Sequence, residues 1–292
     1  MARPSDVRVF SPSSLADALS ALARNPDATV FAGGTSLLCR SPGTRLPLSG
    51  AVIPIAHLEE LKLVHRTERY LDLGACVTLA SLVELGNRIV PDIVIQTASG
   101  IARAPIQNLA TIGGNVACAE RRMDLHPVLT CLDAQAELRR ENSSRWLPVS
   151  QLPVQDQAQR PGPGAQAPQV RGKGPEIICR VRVPLDSWNI SIYKKIGGTG
   201  IPDVSTFSFV FLARAARGFL SDVRVCLSGK SSLRRRDIEA GLAGKRLPLS
   251  ASDAAAIVAA YGKACADEMV IPSLRRIQFL SLLERALSGL SA

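Results

Sequence analysis

Two pairs of adjacent glycines, Gly33-Gly34 and Gly113-Gly114, constrain this 292-residue chain more than any other feature. Each pair follows an apolar segment. Ala28 to Ala32 leads into Gly33-Gly34-Thr35-Ser36, and Leu109-Ala110 leads into Thr111-Ile112-Gly113-Gly114-Asn115. Adjacent glycines let the backbone take positive φ and leave no Cβ in the way of a ligand. Their free N–H groups can line a concavity that suits an anionic oxygen. Thr111 adds a hydroxyl there, and Asn115 adds both a donor and an acceptor. One such pair is an ordinary turn, but two facing each other could hold a diphosphate from both sides. No Lys follows either pair as a phosphate-binding loop of nucleoside triphosphatases requires. Neither fits G-x-G-x-x-G, so an ordinary Rossmann site is disfavoured as well.

The remaining composition narrows the function classes. Hydrophobic residues make up 46% of the chain and charged residues 21%, as in ordinary globular proteins. No stretch approaches the roughly 18 consecutive apolar residues of a membrane span. Met1 to Ser14 lacks the apolar run of a signal peptide, so a cytoplasmic protein is expected. The seven cysteines are scattered without a C-x-x-C, which disfavours a zinc ribbon or an iron–sulfur cluster in this chain. They read as reduced, mostly buried thiols. His57, His65 and His126 show no metal spacing, and no protein nucleophile or general base stands out. The net charge of +10 is dispersed apart from Arg121-Arg122, Arg139-Arg140 and Arg234-Arg235-Arg236. With aromatics at 4%, stacking platforms for nucleic acid are scarce. A solvated basic face, or attraction to dinucleotides and acidic partner subunits, accounts for the excess.

Along the chain, Val7 to Phe10 reads as a strand. Ser11 reads as a helix N-cap with Pro12 at the first helical position, and Asn25-Pro26 as the helix end. Strand 28–32 precedes the first glycine pair, Leu37-Leu38 could begin a helical turn, and Ala51 to Ile55 is a strand whose Pro54 suits a sheet edge. Residues 61–64 and 70–73 alternate around a polar turn, and Thr78 caps a helix bearing Leu79, Leu82, Val83 and Leu85. Ile93 to Ala104 reads as one helix ending at Pro105. A helix through Leu125, Val128, Leu129 and Leu132 follows the second glycine pair, then a hairpin over 136–147. Gln155 to Pro175 reads as a mobile surface loop, and Glu176 to Val183 as a strand. Strands at 207–213 and 223–228 and helices at 253–268 and 273–289 close the chain. The last helix aligns Leu274, Ile277, Leu280, Leu283 and Leu287 on a core-facing or partner-facing stripe. Three units are expected: 1–56, a β-α-β unit carrying the first glycine pair; 57–184; and 185–292.

The run from Phe31 to Leu38 (FAGGTSLL) and Thr111-Ile-Gly-Gly-Asn115 resemble the two flavin-binding loops of the molybdenum hydroxylase FAD subunits. Bacterial xanthine dehydrogenase and aerobic carbon monoxide dehydrogenase have such subunits. The likeness extends to Gly74 to Leu79 (GACVTL), to Asp124 with Pro127-Val128-Leu129 and Leu132-Asp133-Ala134, and to Tyr193-Lys-Lys-Ile-Gly197 with Asp203-Val204-Ser205. The ordered set is specific where any one member is not.

The resemblance implies an α+β chain: a two-subdomain FAD-binding fold of the vanillyl-alcohol-oxidase/PCMH type, followed by a smaller C-terminal α+β domain. It implies that Val30, Phe31, Ala32, Gly33, Gly34, Thr35, Ser36 and Leu37 wrap the FAD pyrophosphate. Thr111, Gly113, Gly114 and Asn115 would approach from the second loop. Asp124 would accept from sugar hydroxyls, as a charge-assisted bond, or else cap the helix that follows. Ile101 and Ile178 would contact the flavin, and Lys195, or Lys194 in its place, would stabilise reduced flavin as a cation. The implied complex has a molybdopterin-binding large subunit and a small subunit with 2Fe-2S clusters, and it passes electrons through FAD to NAD⁺, with a purine such as xanthine as substrate. Two alternatives stay open. One is a carbon monoxide or aromatic-acid enzyme with a quinone-type acceptor; the other is a non-catalytic partner that has lost flavin. The chain departs from the family pattern at Ser36 (Asp in many relatives), Gln107 (Arg), Thr199 (Arg) and Glu120-Arg121 (Ser-Pro), which bears on acceptor and flavin tuning.

Overall fold

The computed structural model describes residues 7–39, 50–118, 124–152, 175–197, 206–229, 231–268 and 270–290. The expected loop over 155–175 falls almost wholly outside them, as do Arg121-Arg122, Thr199 and the Asp203-Val204-Ser205 run.

The chain opens with β1 (Arg8–Val9), α1 (Leu15–Arg24), β2 (Thr29–Phe31), α2 (Thr35–Cys39) and β3 (Ala51–Pro54), its strands forming a parallel sheet in the order β1-β3-β2. The helix starts three residues later than Ser11 implies. Ser14 is the N-cap and its Oγ accepts from the Asp17 N–H at 3.1 Å, while Glu60 Oε2 accepts from the Leu15 N–H at 2.9 Å. Two donors that a helix start leaves unsatisfied are thereby used. Pro54 belongs to the central strand, not an edge. It is tolerated because β1 pairs only with Ala51 and Val52, so the sheet has already lost one neighbour at Pro54. Leu15, Ala18, Leu19 and Leu22 of α1 pack on Ile53 and Ile55, and Leu58, Leu61, Cys76, Ile177 and Cys179 extend the same core.

Next come β4 (Val64–Arg66), β5 (Tyr70–Gly74), α3 (Leu79–Leu85), α4 (Asp92–Ser99), α5 (Ala104–Gln107), α6 (Ile112–Ala117), α7 (Leu125–Cys131), β6 (Gln135–Arg140), β7 (Ser143–Pro148) and β8 (Ile177–Pro184). The five strands form an antiparallel sheet, β4-β5-β8-β6-β7. Period-2 alternation divides its faces. Leu71, Leu73, Ala136, Val181 and Val183 face a core shared with α3, α4, α6 and α7. On the other face Arg182 makes a bidentate pair with Asp72 (2.7 and 2.8 Å) and stacks over the rings of Tyr70 and Trp146. Those hydrogen bonds hold the Asp72 carboxyl below its ordinary pKa against the opposing effect of burial. The stretch 93–104 is not one helix. It stops at Gly100, Ala102 takes φ 55°, and Pro105 sits in the first turn of α5, where its missing N–H costs nothing.

The chain ends with β9 (Ile190–Ile196), β10 (Phe207–Ala216), β11 (Phe219–Ser228), β12 (Ser232–Leu233), α8 (Arg236–Ala240), α9 (Ala251–Asp267) and α10 (Ser273–Ser288), with an antiparallel sheet β12-β11-β10-β9. Phe207, Phe209 and Phe211 face Tyr261 and Phe279 of α9 and α10. Val210 and Leu212 on the other face join the core of the five-stranded sheet. A strand covered on both sides reads as a continuous apolar run, which is why β10 shows no alternation. The α10 stripe divides: Leu283 and Leu287 are fully buried, whereas Leu274 and Ile277 are 77% and 70% exposed. Among the described residues no helix is long and apolar enough to cross a membrane.

Candidate functional site

The first glycine pair lies between β2 and α2. Gly34 takes φ +68°, and a Cβ there would strike the Phe31 ring. A Cβ on Gly33 would overlap the Leu109 carbonyl. Among the described residues nothing accepts from the N–H groups of Gly33 and Gly34. Thr35 opens α2, so its N–H has no intrahelical acceptor either. Three successive donors with a left-handed residue among them form a nest for an anion.

The second pair behaves differently. Thr111, Gly113, Gly114 and Asn115 are the cap and first turns of α6 and make no turn of their own, and neither glycine has positive φ. Thr111 Oγ1 accepts from the Gly114 N–H at 3.1 Å. The Ile112 and Gly113 N–H groups donate to the Val77 and Ala75 carbonyls, both at 2.9 Å. A Cβ on Gly113 would fall 2.6 Å from the Ala75 Cβ, so this glycine permits close packing on the residues after β5. The N–H groups expected to be free at both pairs are free only at the first. Asn115 Oδ1 accepts from the Leu125 N–H at 3.3 Å, which ties α6 to α7.

The two pairs do meet. Gly33 lies against Leu109-Ala110, immediately before Thr111, and Ser36 Oγ stands 3.1 Å from Cys118 Sγ at the end of α6. Val30 and Ala32 pack against the first core, and Leu37 follows Ser36 along α2.

Asp124 and Lys195, distant in sequence, come together: Lys195 Nζ donates to Asp124 Oδ1 at 2.6 Å. Asp124 holds the N-cap position of α7, but its side chain makes no cap hydrogen bond, which decides against the capping alternative. Strand alternation along β9 puts Lys194 on the opposite side, so Lys195 is the lysine that reaches Asp124. Tyr193 lies on the Lys195 side, packed on the second core, with its hydroxyl 3.5 Å from Ser208 Oγ; burial raises its pKa. Ile101 is buried, and its carbonyl accepts from Gln107 Nε2 at 3.0 Å, so Gln107 braces the α4–α5 corner. Ile178 is half-buried on β8 opposite Leu138.

Sequence reasoning passed over Tyr193 as a site neighbour, although the alternation of Ile190, Ile192 and Ile196 could have placed β9. Nothing in the sequence marks Cys118 or Ala75. The buried thiols are inert: burial pushes Cys76 up to about 11 and Cys179 up to about 12. Among the described residues no group of His, Cys, Asp or Glu could hold a metal ion. Two cavities, of about 310 and 250 Å³, open away from both glycine pairs, one in the C-terminal unit at Ile190, Arg217 and Leu290 and one where that unit meets the end of α7, at Asp133, Arg224 and Arg236. The open donors, not a deep cavity, single out the first glycine loop, and a left-handed nest fits the pyrophosphate of a dinucleotide.

Residues 5–186 match the family described as the FAD binding domain in molybdopterin dehydrogenase. The chain is 26% identical to the nicotine 6-hydroxylase medium subunit of Paenarthrobacter nicotinovorans over 256 residues, covering 85% of this chain and 84% of that subunit. It is 31% identical over 139 residues to the xanthine dehydrogenase FAD-binding subunit of Escherichia coli O157:H7, covering 47% of each. Against aldehyde oxidase 2 of Cavia porcellus it is 31% identical over 153 residues, 48% of this chain but 11% of that enzyme. It therefore spans a small part of the aldehyde oxidases and about half of the xanthine dehydrogenase subunit. In structure it is similar to a chain of the carbon monoxide dehydrogenase of Hydrogenophaga pseudoflava (TM-score 0.79, 21% identity, 99% and 98% covered). It is also similar to a chain of quinoline 2-oxidoreductase from Pseudomonas putida 86 (TM-score 0.76, 19% identity, 98% and 96% covered). The fold is thus the PCMH-type FAD-binding fold implied by the motifs. The chain belongs to the FAD-binding subunits of the molybdenum hydroxylase family.

Proposed function

We propose that this chain holds FAD between its two glycine loops and passes electrons from the 2Fe-2S clusters of a small partner subunit to NAD⁺. A molybdopterin-binding large subunit would oxidise a purine such as xanthine, and the complex would work in the cytoplasm. When bound, FAD supplies the exchange between one-electron carriers and a two-electron acceptor. The single observation that carries the reading is the nest of Gly33, Gly34 and Thr35 N–H groups lying against the turn that leads into Thr111. Those donors would take the pyrophosphate, with Val30, Phe31, Ala32, Ser36 and Leu37 as its walls. Thr111, Gly113 and Gly114 would hold α6 against Ala75 so that Asn115 faces the cofactor. Asp124 would orient sugar hydroxyls, and Ile101 and Ile178 would keep water from the ring system. Lys195, already paired with Asp124, would bring a cation whose charge is partly neutralised. The units 1–56, 57–184 and 185–292 would divide these tasks, the first giving the nest, the second the packing helix and the third the lysine.

A second reading keeps the flavin and changes its partners: a hydroxylase of another nitrogen heteroaromatic ring with an acceptor other than NAD⁺. The near-full-length match to the nicotine 6-hydroxylase medium subunit favours it. Purified chain mixed with FAD and desalted should keep a yellow, flavin-type spectrum, and NADH should bleach it. Protein that emerges colourless overturns flavin binding. A flavin bleached by dithionite but not by NADH removes NAD⁺ and leaves the second reading.

A further inference from the structure

Asp133 has no part in the site described above, yet it is among the most heavily engaged side chains of the described residues. It takes φ 54° just beyond α7. Its carboxylate gathers Arg224 Nη1 at 2.9 Å, Arg234 Nη1 at 2.7 Å and Arg236 Nη2 at 2.6 Å, all from the C-terminal unit. The same arginines finish the helix. Arg234 Nη1 donates to the Thr130 carbonyl at 2.7 Å and Arg224 Nη1 to the Cys131 carbonyl at 2.8 Å. The Thr130 carbonyl also accepts from the Asp133 N–H at 3.2 Å, so the arginines add to the backbone closure of α7, and cations there suit the helix dipole. Glu239 braces Arg234 from behind at 3.0 Å, and the Trp188 ring lies 4.6 Å beneath Arg224.

The other end of α7 carries the second clamp, Asp124 with Lys195. Between them His126 Nδ1 stands 3.3 Å from Ser232 Oγ, which meets Ser228 Oγ at 2.8 Å. Lys195, Ser208, Ser228 and Ser232 are cross-strand partners in successive strands, so one polar row crosses the C-terminal sheet beneath α7. Every residue of α7 is buried. A fully buried seven-residue helix, ion-paired at both ends to the same sheet, acts as a strut between them.

We infer that Asp133 is a positioning residue for the cofactor site: by fixing three arginines at one end of α7, it sets where β9 presents Lys195 at the other. This rests on the flavin reading for its consequence but not for its geometry. Asp133→Asn keeps the size of the side chain and tolerates the left-handed backbone, so it removes charge alone. Asp237→Asn, which breaks the exposed Arg235–Asp237 pair on the neighbouring α8, is the control.

The experiment uses the full chain. Hydrogen–deuterium exchange of β9 is measured with and without FAD, together with FAD affinity by fluorescence quenching and the midpoint potential of bound flavin. Asp133→Asn should raise β9 exchange and weaken FAD binding by about tenfold, and it should shift the potential; Asp237→Asn should do none of these. A merely structural role would lower the melting temperature and leave the potential of folded, loaded protein unchanged. If Asp133→Asn does not fold, Arg236→Gln removes one exposed partner of the three and should give about a two- to threefold effect in the same readouts. Wild-type β9 exchange in a folded variant overturns the inference whether or not FAD binds. Failure of the unaltered chain to bind FAD overturns the proposed function instead.

Discussion

Gly33-Gly34 and Gly113-Gly114 are the same dipeptide in matching sequence surroundings, and they do different physical work. At the first pair the backbone turns, Gly34 adopts φ +68°, and successive N–H groups stay open. At the second the backbone is helical, every first-turn donor is used, and the missing Cβ serves contact with Ala75. A glycine pair near a ligand can thus be a donor array or a spacer, and only the destination of its N–H groups tells which.

The contrast can be broken most sharply at Gly33. A Cβ there pushes against the Leu109 carbonyl. Gly33→Ala should cost about 1–3 kcal/mol by overpacking and, because it separates the loops, should abolish retention of FAD on desalting. Gly113→Ala should cost a similar amount, about 1–3 kcal/mol, but lower the FAD affinity of the folded fraction less than Gly33→Ala does, because it shifts Asn115 and leaves the open donors in place. Denaturant midpoints and flavin titrations on both variants separate donor array from spacer; equal loss of affinity in the two would erase the distinction. Gly34→Ala is next in size. Forcing a Cβ into the left-handed region costs about 1–2 kcal/mol, and its flavin affinity should fall more than its stability. Thr111→Val removes the α6 cap and should lower stability by about 1 kcal/mol, with a smaller loss of flavin affinity than either glycine change in the first loop.

The smallest expected effect lies outside both loops, at Asp72. Arg182 holds its carboxyl below the ordinary value in the folded protein. A depressed folded pKa stabilises above the unfolded value of about 3.9 and is lost as pH falls through the folded one. Stability should therefore drop below about pH 4, and Asp72→Asn should flatten that acid limb without touching the flavin spectrum.

The resemblance made the fold legible, because two loops, a capped helix at Thr78 and the Asp124 segment occur in order. Local geometry was harder to read. The amide and hydroxyl beside Gly113-Gly114 suit a turn, and only the Ala75 backbone, contributed from after β5, makes them a helix start. The helix break at Ala102 has no strong local signal, since Gly100 and Pro105 are both compatible with an apolar helix end. The first helix could have begun at Ser11, but Glu60 answers the Leu15 N–H from 45 residues away. The Asp124–Lys195 contact joins two candidates that sequence reasoning kept apart, because cross-unit pairing leaves no mark in spacing. The exposed Leu274 and Ile277 show that a periodic stripe records what a helix could bury, not what it does bury.

The high pKa values of Cys76 and Cys179 have a consequence for life beside a redox cofactor. A thiol held near 11 is ionised in only about one molecule in ten thousand at neutral pH, and the thiolate is the form that peroxide attacks. Reduced flavins that meet oxygen release such oxidants at close range. Packing those sulfurs among aliphatic neighbours therefore leaves them poor nucleophiles toward such oxidants.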